Sequence, residues 1–258
     1  MRHILLIRPD SGGPELRSYG WKNCAMWMVL AAVLTGCRWT STGQNTLGVS
    51  LYQQGKYADA LQQFQVAQQT DPTNPDAYYN LASTYHKLAV AHKDAKMIEQ
   101  AESLYNQCLD LSPNHVDCHR ALAVLLVETG RNDRGLALLK NWAARNPQLS
   151  DARVELSRLH QELGQTKAAE RYLDEALALN PSDARAWSAR GQLREQSGDL
   201  GQALHNYQQS IALNSLQPEL YQRVASLNLK IAQNSLSTGA PSGGWTVQNP
   251  QPGNTPRY

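Results

Sequence analysis

The amino-acid sequence is poor in several residue types by which a function is often recognised. Its 258 residues include one Phe and four Cys, and the formal net charge is only +2 at pH 7. Since no basic stripe interleaved with aromatic residues occurs, the sequence does not indicate nucleic acid as a partner. With a single Phe, Leu and Ala are expected to fill the core, as closely packed helices require.

Motifs that would carry catalysis or hold a cofactor are missing as well. The sequence has no Ser/His/Asp grouping, no Gly-rich phosphate loop and no Walker pattern. Cys108, His115, Cys118 and His119 lie in one short segment, but their spacing matches no zinc pattern. Cys118-His119 also lacks the second cysteine that c-type haem attachment needs. We therefore expect no enzyme, no cofactor and no metal site.

No apolar run is long enough for a transmembrane helix. The longest, residues 24–36, has thirteen residues and follows Arg17 and Lys22. A bilayer span needs roughly 20 residues, whereas this length fits the apolar part of a signal peptide. The segment 34–37 reads Leu-Thr-Gly-Cys and resembles the lipobox of bacterial lipoproteins.

This resemblance implies that Cys37 is lipidated and becomes the first residue of the mature chain. Residues 1–36 would then be a removed signal peptide, and 37–40 a lipid-anchored linker. The expected location is the cell envelope, facing the periplasm, on the outer rather than the inner membrane. A plain secretory signal, or a buried apolar helix that happens to end in Cys, is the alternative.

A motif that recurs about every 34 residues is the strongest signal in the chain. Its clearest copy consists of Gly55, Tyr57, Ala60, Phe64, Ala67 and Pro72. A fixed period of this length predicts a solenoid of paired helices. Apolar residues three and four apart within each copy give each helix one apolar stripe. Glycines are expected to end the first helices, and prolines to follow the second helices.

The pattern resembles the tetratricopeptide repeat family, in which each unit is a helix, a tight turn and a second antiparallel helix. The resemblance implies an all-α, right-handed superhelical solenoid of about five hairpins. The expected segments are units 41–74, 75–115, 116–149, 150–183 and 184–217, a capping helix 218–233, and a disordered tail 234–258. The first-helix pair of Leu and a small residue appears as Leu47-Gly48, Leu81-Ala82, Leu122-Ala123 and Leu156-Ser157.

The second unit departs from the period by about seven extra residues between Leu88 and Ala101. Seven residues are two helical turns, so each helix of this unit can gain one turn without rotating its apolar face. We expect a taller hairpin here, with a loop as the alternative.

Two cysteines raise the question of a disulfide. In the family's packing, the places of Cys108 and Cys118 are neighbours, so the resemblance allows a bridge between them. Export would place them in an oxidising compartment. Two buried free thiols in small-residue positions are the alternative.

The resemblance also implies a concave groove lined by the first helices. Its expected partner-binding residues are Tyr52, Tyr79, His86, Arg120, Arg158 and Arg185. Aromatic and arginine side chains suit an extended peptide, because they supply contact area and bind carboxylates in bidentate fashion. The five-residue carboxylate clamp of chaperone-binding members is absent, since only Asn80 matches it. A solvated face without a ligand is the alternative.

Together these features predict a non-catalytic scaffold that is anchored at the bacterial envelope and binds a partner protein or peptide. The resemblance extends to repeat lipoproteins that assist envelope machines such as a type IV pilus or an outer-membrane complex. The alternative function is a structural envelope lipoprotein that associates with itself.

Overall fold

A computed structural model describes residues 41–237, which contain helices and no strand. The helices are α1 (residues 41–53), α2 (Tyr57–Thr70), α3 (Pro75–His92), α4 (Ala95–Leu111), α5 (Val116–Glu128), α6 (Asn132–Arg145), α7 (Ser150–Glu162), α8 (Thr166–Leu179), α9 (Ala184–Gln196), α10 (Leu200–Leu213) and α11 (Pro218–Ser237). The all-α prediction is confirmed. The lipobox at Cys37 and residues 238–258 of the predicted tail lie outside the described residues, whereas residues 234–237 belong to α11.

The turns within the hairpins follow the predicted glycines. Four of them, Gly55, Gly130, Gly164 and Gly198, have positive φ between 71° and 82°. At Gly164 this conformation lets the following Gln165 N–H donate to the carbonyl of His160 at 2.8 Å, which closes the end of α7. A residue with a Cβ is strained in this region, so glycine is the residue that allows the chain to reverse here.

The second hairpin is longer than its neighbours. Helices α3 and α4 have 18 and 17 residues, whereas α5 to α10 have 13 or 14 each. The turn between them is made by Lys93, whose φ of 55° takes the place of the usual glycine. The extra residues therefore lengthen both helices, as expected, and do not form a loop.

Contacts within hairpins bring the backbones unusually close at two glycines. A Cβ added to Gly48 would lie 2.5 Å from the Phe64 ring, and one added to Gly191 would lie 2.6 Å from the Tyr207 ring. Real Cβ atoms do not approach a ring this closely, so the large aromatic residue on the second helix requires glycine on the first. The predicted Leu-Gly pair of the first unit thus has a packing cause.

The described residues divide into two compact units, which meet in the sequence between Cys118 and His119. In the first unit, Ala60, Phe64 and Leu81 form a buried cluster. In the second unit, α7, α8 and α9 share a core made of Val154, Ala169, Leu173, Ala176, Leu177, Ala186, Ala189 and Leu193. Half of these residues are Ala, which permits close helix packing, as the low Phe content predicted.

Helix α11 packs on α10 through an apolar contact and a polar bridge. Leu227 is fully buried against Ala203 and Tyr207. The Tyr207 hydroxyl and Arg223 Nε both donate to Glu195 Oε2, at 3.0 and 2.6 Å. Burial raises the pKa of Glu195, but the hydrogen bonds from Arg223 and Tyr207 outweigh burial and lower it. In its ionised form, the Glu195 carboxylate therefore holds α11 against α9 and α10.

The Glu195→Gln variant tests this bridge. Because the folded pKa of Glu195 lies below the unfolded value of about 4.3, its stabilisation is present above that pH and is lost as the pH falls through the folded pKa. We expect the variant to lose about 1 kcal/mol of unfolding free energy at pH 7, and much less in acid. Urea denaturation at a series of pH values measures this difference.

Glu175→Gln is the matched control, since Glu175 pairs with Arg171 on an exposed helix surface. That variant should change the unfolding free energy by no more than about 0.5 kcal/mol. A pH-independent loss in Glu195→Gln would contradict the role assigned to the ionised carboxylate.

Candidate functional site

A cavity of about 340 Å³ lies between the first helices of the second unit. We call it the second-unit groove. Its polar lining comes from α5, α7 and α9 and consists of Arg120, Glu155, Arg158, Gln161, Glu162, Gln192 and Gln196. Ala123, Val124, Leu139 and Leu159 form its apolar floor. Its volume is within the range of ligand pockets, and its lining is more polar than most.

A buried carboxylate organises this groove. Glu155 has only 1% of its surface exposed, and its Oε1 accepts a hydrogen bond from the guanidinium of Arg185. The NH1 groups of Arg120 and Arg158 lie 3.9 Å from the same oxygen. Three arginines from three successive first helices therefore surround one acid, which neutralises part of their charge.

The three predicted arginines do not have equal roles. Arg120 and Arg158 line the groove, but Arg185 lies outside the lining. Its guanidinium is bonded to Glu155 and, at 2.6 Å, to Asp151 Oδ1. Sequence reasoning missed Glu155, because it does not occupy one of the first-helix places that the resemblance assigns to the groove, although it lines the cavity in the structure. One signal could have pointed to Glu155: the six predicted groove residues include three arginines and no acidic residue to balance their charge.

Burial changes the acid–base properties of two further lining residues. Burial lowers the pKa of Arg158, and the nearby carboxylate of Glu155 partly opposes this shift. Burial also raises the pKa of Glu162, with smaller contributions from the negative charges of Glu128 and Glu155. The polar lining of the groove thus contains both cationic and acidic side chains, which suits a ligand with both donors and acceptors.

Two buried polar atoms of the groove residues lack partners. Within residues 41–237, neither Glu155 Oε2 nor Arg158 Nε has a hydrogen-bond partner. Unsatisfied buried groups are uncommon in native proteins and call for an explanation. A bound polar ligand would explain them if it supplied a donor to Glu155 Oε2 and an acceptor to Arg158 Nε.

The predicted aromatic residues lie in the first unit. Tyr52 meets Tyr57 edge to face with 5.1 Å between the ring centroids. Burial raises the pKa of Tyr52, and the nearby hydroxyls of Tyr57 and Tyr79 add to this shift. Tyr52 is half-buried, so part of its ring is covered by its own unit and not by a ligand.

Tyr79 and His86 both pack against a residue that the sequence did not single out for the groove. Their rings each lie 6.3 Å from the ring of Tyr105, which belongs to α4 and is buried. Tyr79 also stacks on His115 at 5.6 Å. The six predicted groove residues therefore fall into two sets, three in each compact unit.

A disulfide joins Cys108 near the end of α4 to Cys118 in the first turn of α5. Both residues are fully buried. Of the two alternatives left open by the sequence, the structure has the bridge.

No helix within the described part of the chain is both long and apolar enough to cross a membrane.

Comparison with known families identifies repeats along most of the described residues. A model described as "TPR repeat" matches residues 48–88, and one described as "Tetratricopeptide repeat" matches 93–149 and 130–193. Together these matches span more than half of the chain. A search of curated proteins finds no significant match.

A solved structure of a TPR protein shares this fold. The thermophilic TPR protein TTC0263 of Thermus thermophilus is 26% identical with a TM-score of 0.55, and the match covers 73% of this chain and 99% of that chain. The pilF protein of Pseudomonas aeruginosa is 18% identical with a TM-score of 0.48, over 80% of this chain and 95% of that chain. YrrB, described as a TPR protein with an unusual peptide-binding site, is 17% identical with a TM-score of 0.39, over 70% and 89% of the two chains.

The Glu155→Gln variant tests whether the buried carboxylate organises the groove. Removing its charge leaves three arginines partly uncompensated, and breaking a buried pair typically costs 3–5 kcal/mol. Since Arg120 and Arg185 still reach water, we expect a loss of about 3 kcal/mol in unfolding free energy, measured by chemical denaturation.

Glu170→Gln provides the comparison, because Glu170 pairs with Arg194 at 3.3 Å and is 38% exposed. We expect a loss below about 1 kcal/mol for that surface pair. Equal losses in the two variants would show that Glu155 is not the organising charge.

Proposed function

Because the chain belongs to the tetratricopeptide repeat family, we propose that it is a non-catalytic scaffold that binds an extended segment of a partner protein in the second-unit groove. Proteins of this fold act through protein–protein contacts. The observation that carries the proposal is the polar cavity between α5, α7 and α9, with its unsatisfied buried groups. No nucleic acid is implied, and self-association is the competing outcome.

Amide side chains give this groove the chemistry of peptide recognition. Gln161, Gln192 and Gln196 line it from α7 and α9. Each carries one carbonyl acceptor and an NH₂ donor, which match the N–H and C=O of a peptide bond. Gln161 and Gln196 already bond each other at 2.7 Å, so the pair is held in place before a ligand arrives. A peptide backbone laid along them would replace water at little ordering cost.

Charges of the groove define which side chains the segment should carry. Arg158 Nε is a buried donor without a partner, so a carbonyl or carboxylate oxygen of the ligand satisfies it. Glu162, whose pKa is raised by burial and by neighbouring negative charge, is stabilised by a basic group. We therefore propose a segment that brings both an acidic and a basic group, in addition to backbone hydrogen bonds.

The proposal extends to the place where the scaffold works. The lipobox-like segment 34–37 and the apolar run before it support lipidation of Cys37. Two or three acyl chains anchor a protein stably, whereas one holds it only marginally. The scaffold would then act at the envelope, facing the periplasm and attached to the outer membrane. An assembly factor for a pilus or an outer-membrane complex is the role that fits such an anchor.

A peptide selection tests the groove. Peptides selected on the immobilised protein from a displayed random library are resynthesised, and their dissociation constants are measured by fluorescence anisotropy. We expect the double variant Gln192→Ala with Gln196→Ala to bind about tenfold more weakly, since two hydrogen bonds of about 0.5–1.5 kcal/mol each are lost.

Gln208→Ala is the control, because Gln208 is exposed on α10 and does not line the groove. It should leave the dissociation constants unchanged. Peptides that bind the double variant as well as the wild type would refute groove binding. If no peptide is selected and sedimentation shows that the chain forms oligomers with itself, the self-associating alternative is favoured.

A pair of cysteine variants tests the anchor. In bacteria fed a clickable palmitate analogue, we expect the wild-type chain to carry the label and to sediment with membranes. Cys37→Ser should lose both properties because it removes the acylated sulfur. Cys24→Ser is the matched control and should keep both, since Cys24 lies within the apolar run. Label and membrane binding that survive in Cys37→Ser would contradict the lipobox prediction.

A further inference from the structure

The fold brings together three metal-ligand side chains whose spacing in the sequence matches no zinc pattern. A ring nitrogen of His115 and the sulfurs of Cys108 and Cys118 all lie within 4.8 Å of one another. Cys108 comes from the last turn of α4, Cys118 from the first turn of α5, and His115 from the connection between them. The short turn between two hairpins, rather than a sequence motif, creates this cluster.

The imidazole of His115 is held in one orientation and one tautomer. Its Nδ1 accepts a hydrogen bond from the Cys118 backbone N–H at 3.2 Å, so this nitrogen carries a lone pair and no proton. The proton is therefore on Nε2, which donates to Asp76 Oδ1 at 3.0 Å. Tyr79 stacks on one face of the ring. The side chain is thus positioned by three contacts from its own unit.

This is the arrangement that metal-binding histidines adopt. A ligating imidazole usually donates its second N–H to a carboxylate, which fixes the ring and raises its basicity. Asp76 supplies that carboxylate, and the lone pair on Nδ1 faces the start of α5, where Cys118 lies. A metal ion on Nδ1 would replace the hydrogen bond from the Cys118 N–H. The second coordination sphere is therefore already present without any ion.

We propose that the reduced form of this chain binds one thiophilic divalent ion, of the Zn²⁺ class, through Cys108, Cys118 and His115. A dithiol reductant supplies two electrons and two protons. The S–S bond breaks, two thiols form, and the reductant becomes a cyclic disulfide. Binding of the ion then releases the two thiol protons and leaves two thiolates and one imidazole as ligands.

The ligand set favours zinc-like ions over others. Two thiolates and one imidazole select thiophilic and borderline metals rather than Mg²⁺ or Ca²⁺. Three protein ligands leave the fourth tetrahedral position for water. In the oxidised form both sulfurs are committed to the bridge, so the disulfide and the metal exclude each other. The proposal depends only on these residues of the first unit and not on binding in the second-unit groove.

Titration with Co²⁺ as a spectroscopic substitute for Zn²⁺ tests the proposal. The full chain carries Cys24→Ser and Cys37→Ser, so that Cys108 and Cys118 are the only cysteines left of the four. After reduction with dithiothreitol and its removal under argon, we expect one equivalent of Co²⁺ to give tetrahedral ligand-field bands and a thiolate charge-transfer band. Zn²⁺ should displace it, and the oxidised chain should show neither band.

Single variants in the same background separate this site from unspecific thiol binding. His115→Gln removes a ligand, and Asp76→Asn removes the orienting charge. We expect Asp76→Asn to weaken Co²⁺ binding by about 10- to 100-fold, the effect that loss of an outer-shell partner typically has. His115→Gln removes a direct ligand and should weaken binding at least as much. His92→Gln, at the exposed end of α3, is the control and should bind as the parent does.

Circular dichroism of the reduced chain separates binding from unfolding. Helix content that is lost on reduction and restored by Zn²⁺ supports the site, because binding and folding are then coupled at it. Helix content that is kept without metal shows that the Co²⁺ affinities of the variants compare folded chains. Absence of tetrahedral bands in the reduced chain would overturn the proposal. Equal Co²⁺ affinity in the parent, His115→Gln and Asp76→Asn would also overturn it.

Discussion

The two helices of a hairpin lie so close together at Gly48 and Gly191 that any Cβ there would collide with an aromatic ring of the second helix. Small residues with no exposed surface, such as Ala169 and Ala203, continue this close packing on the second helices. Because dense packing tolerates neither added volume nor a gap, each pair of helices has one relative position. Within the second unit, side chains of the first helices α5, α7 and α9 then line the second-unit groove.

Close packing of first helices also explains why the groove contains a buried acid. Arg120, Arg158 and Arg185 project from three adjacent helices into a small volume, where their charges would repel one another. Glu155 offsets this repulsion from the interior, with 1% of its surface exposed. The groove is consequently less cationic than its arginines suggest. Its binding chemistry depends as much on the glutamine amides and on Glu162 as on the guanidinium groups.

The turn between the second and third hairpins shows the same principle on a smaller scale. Four residues separate α4 from α5, so the end of one helix and the start of the next are held together. Cys108 and Cys118 meet there and form a bridge, with His115 beside them and Asp76 behind the ring. The disulfide and the proposed metal site use the same two sulfur atoms, which bond each other in the oxidised chain and would bind the ion in the reduced chain.

The sequence by itself determined the helical class, the helix-ending glycines and prolines, and the longer second hairpin. These features depend on local chemistry, such as the freedom of Gly164 to adopt positive φ and the period of apolar residues along a helix. Only the tertiary structure decided that Arg185 is bonded to Glu155 and Asp151, and that Tyr105 supports Tyr79 and His86. It also brought His115 to the two cysteines. Such contacts join side chains from different helices, and their partners follow from packing geometry, which no spacing along one chain segment encodes.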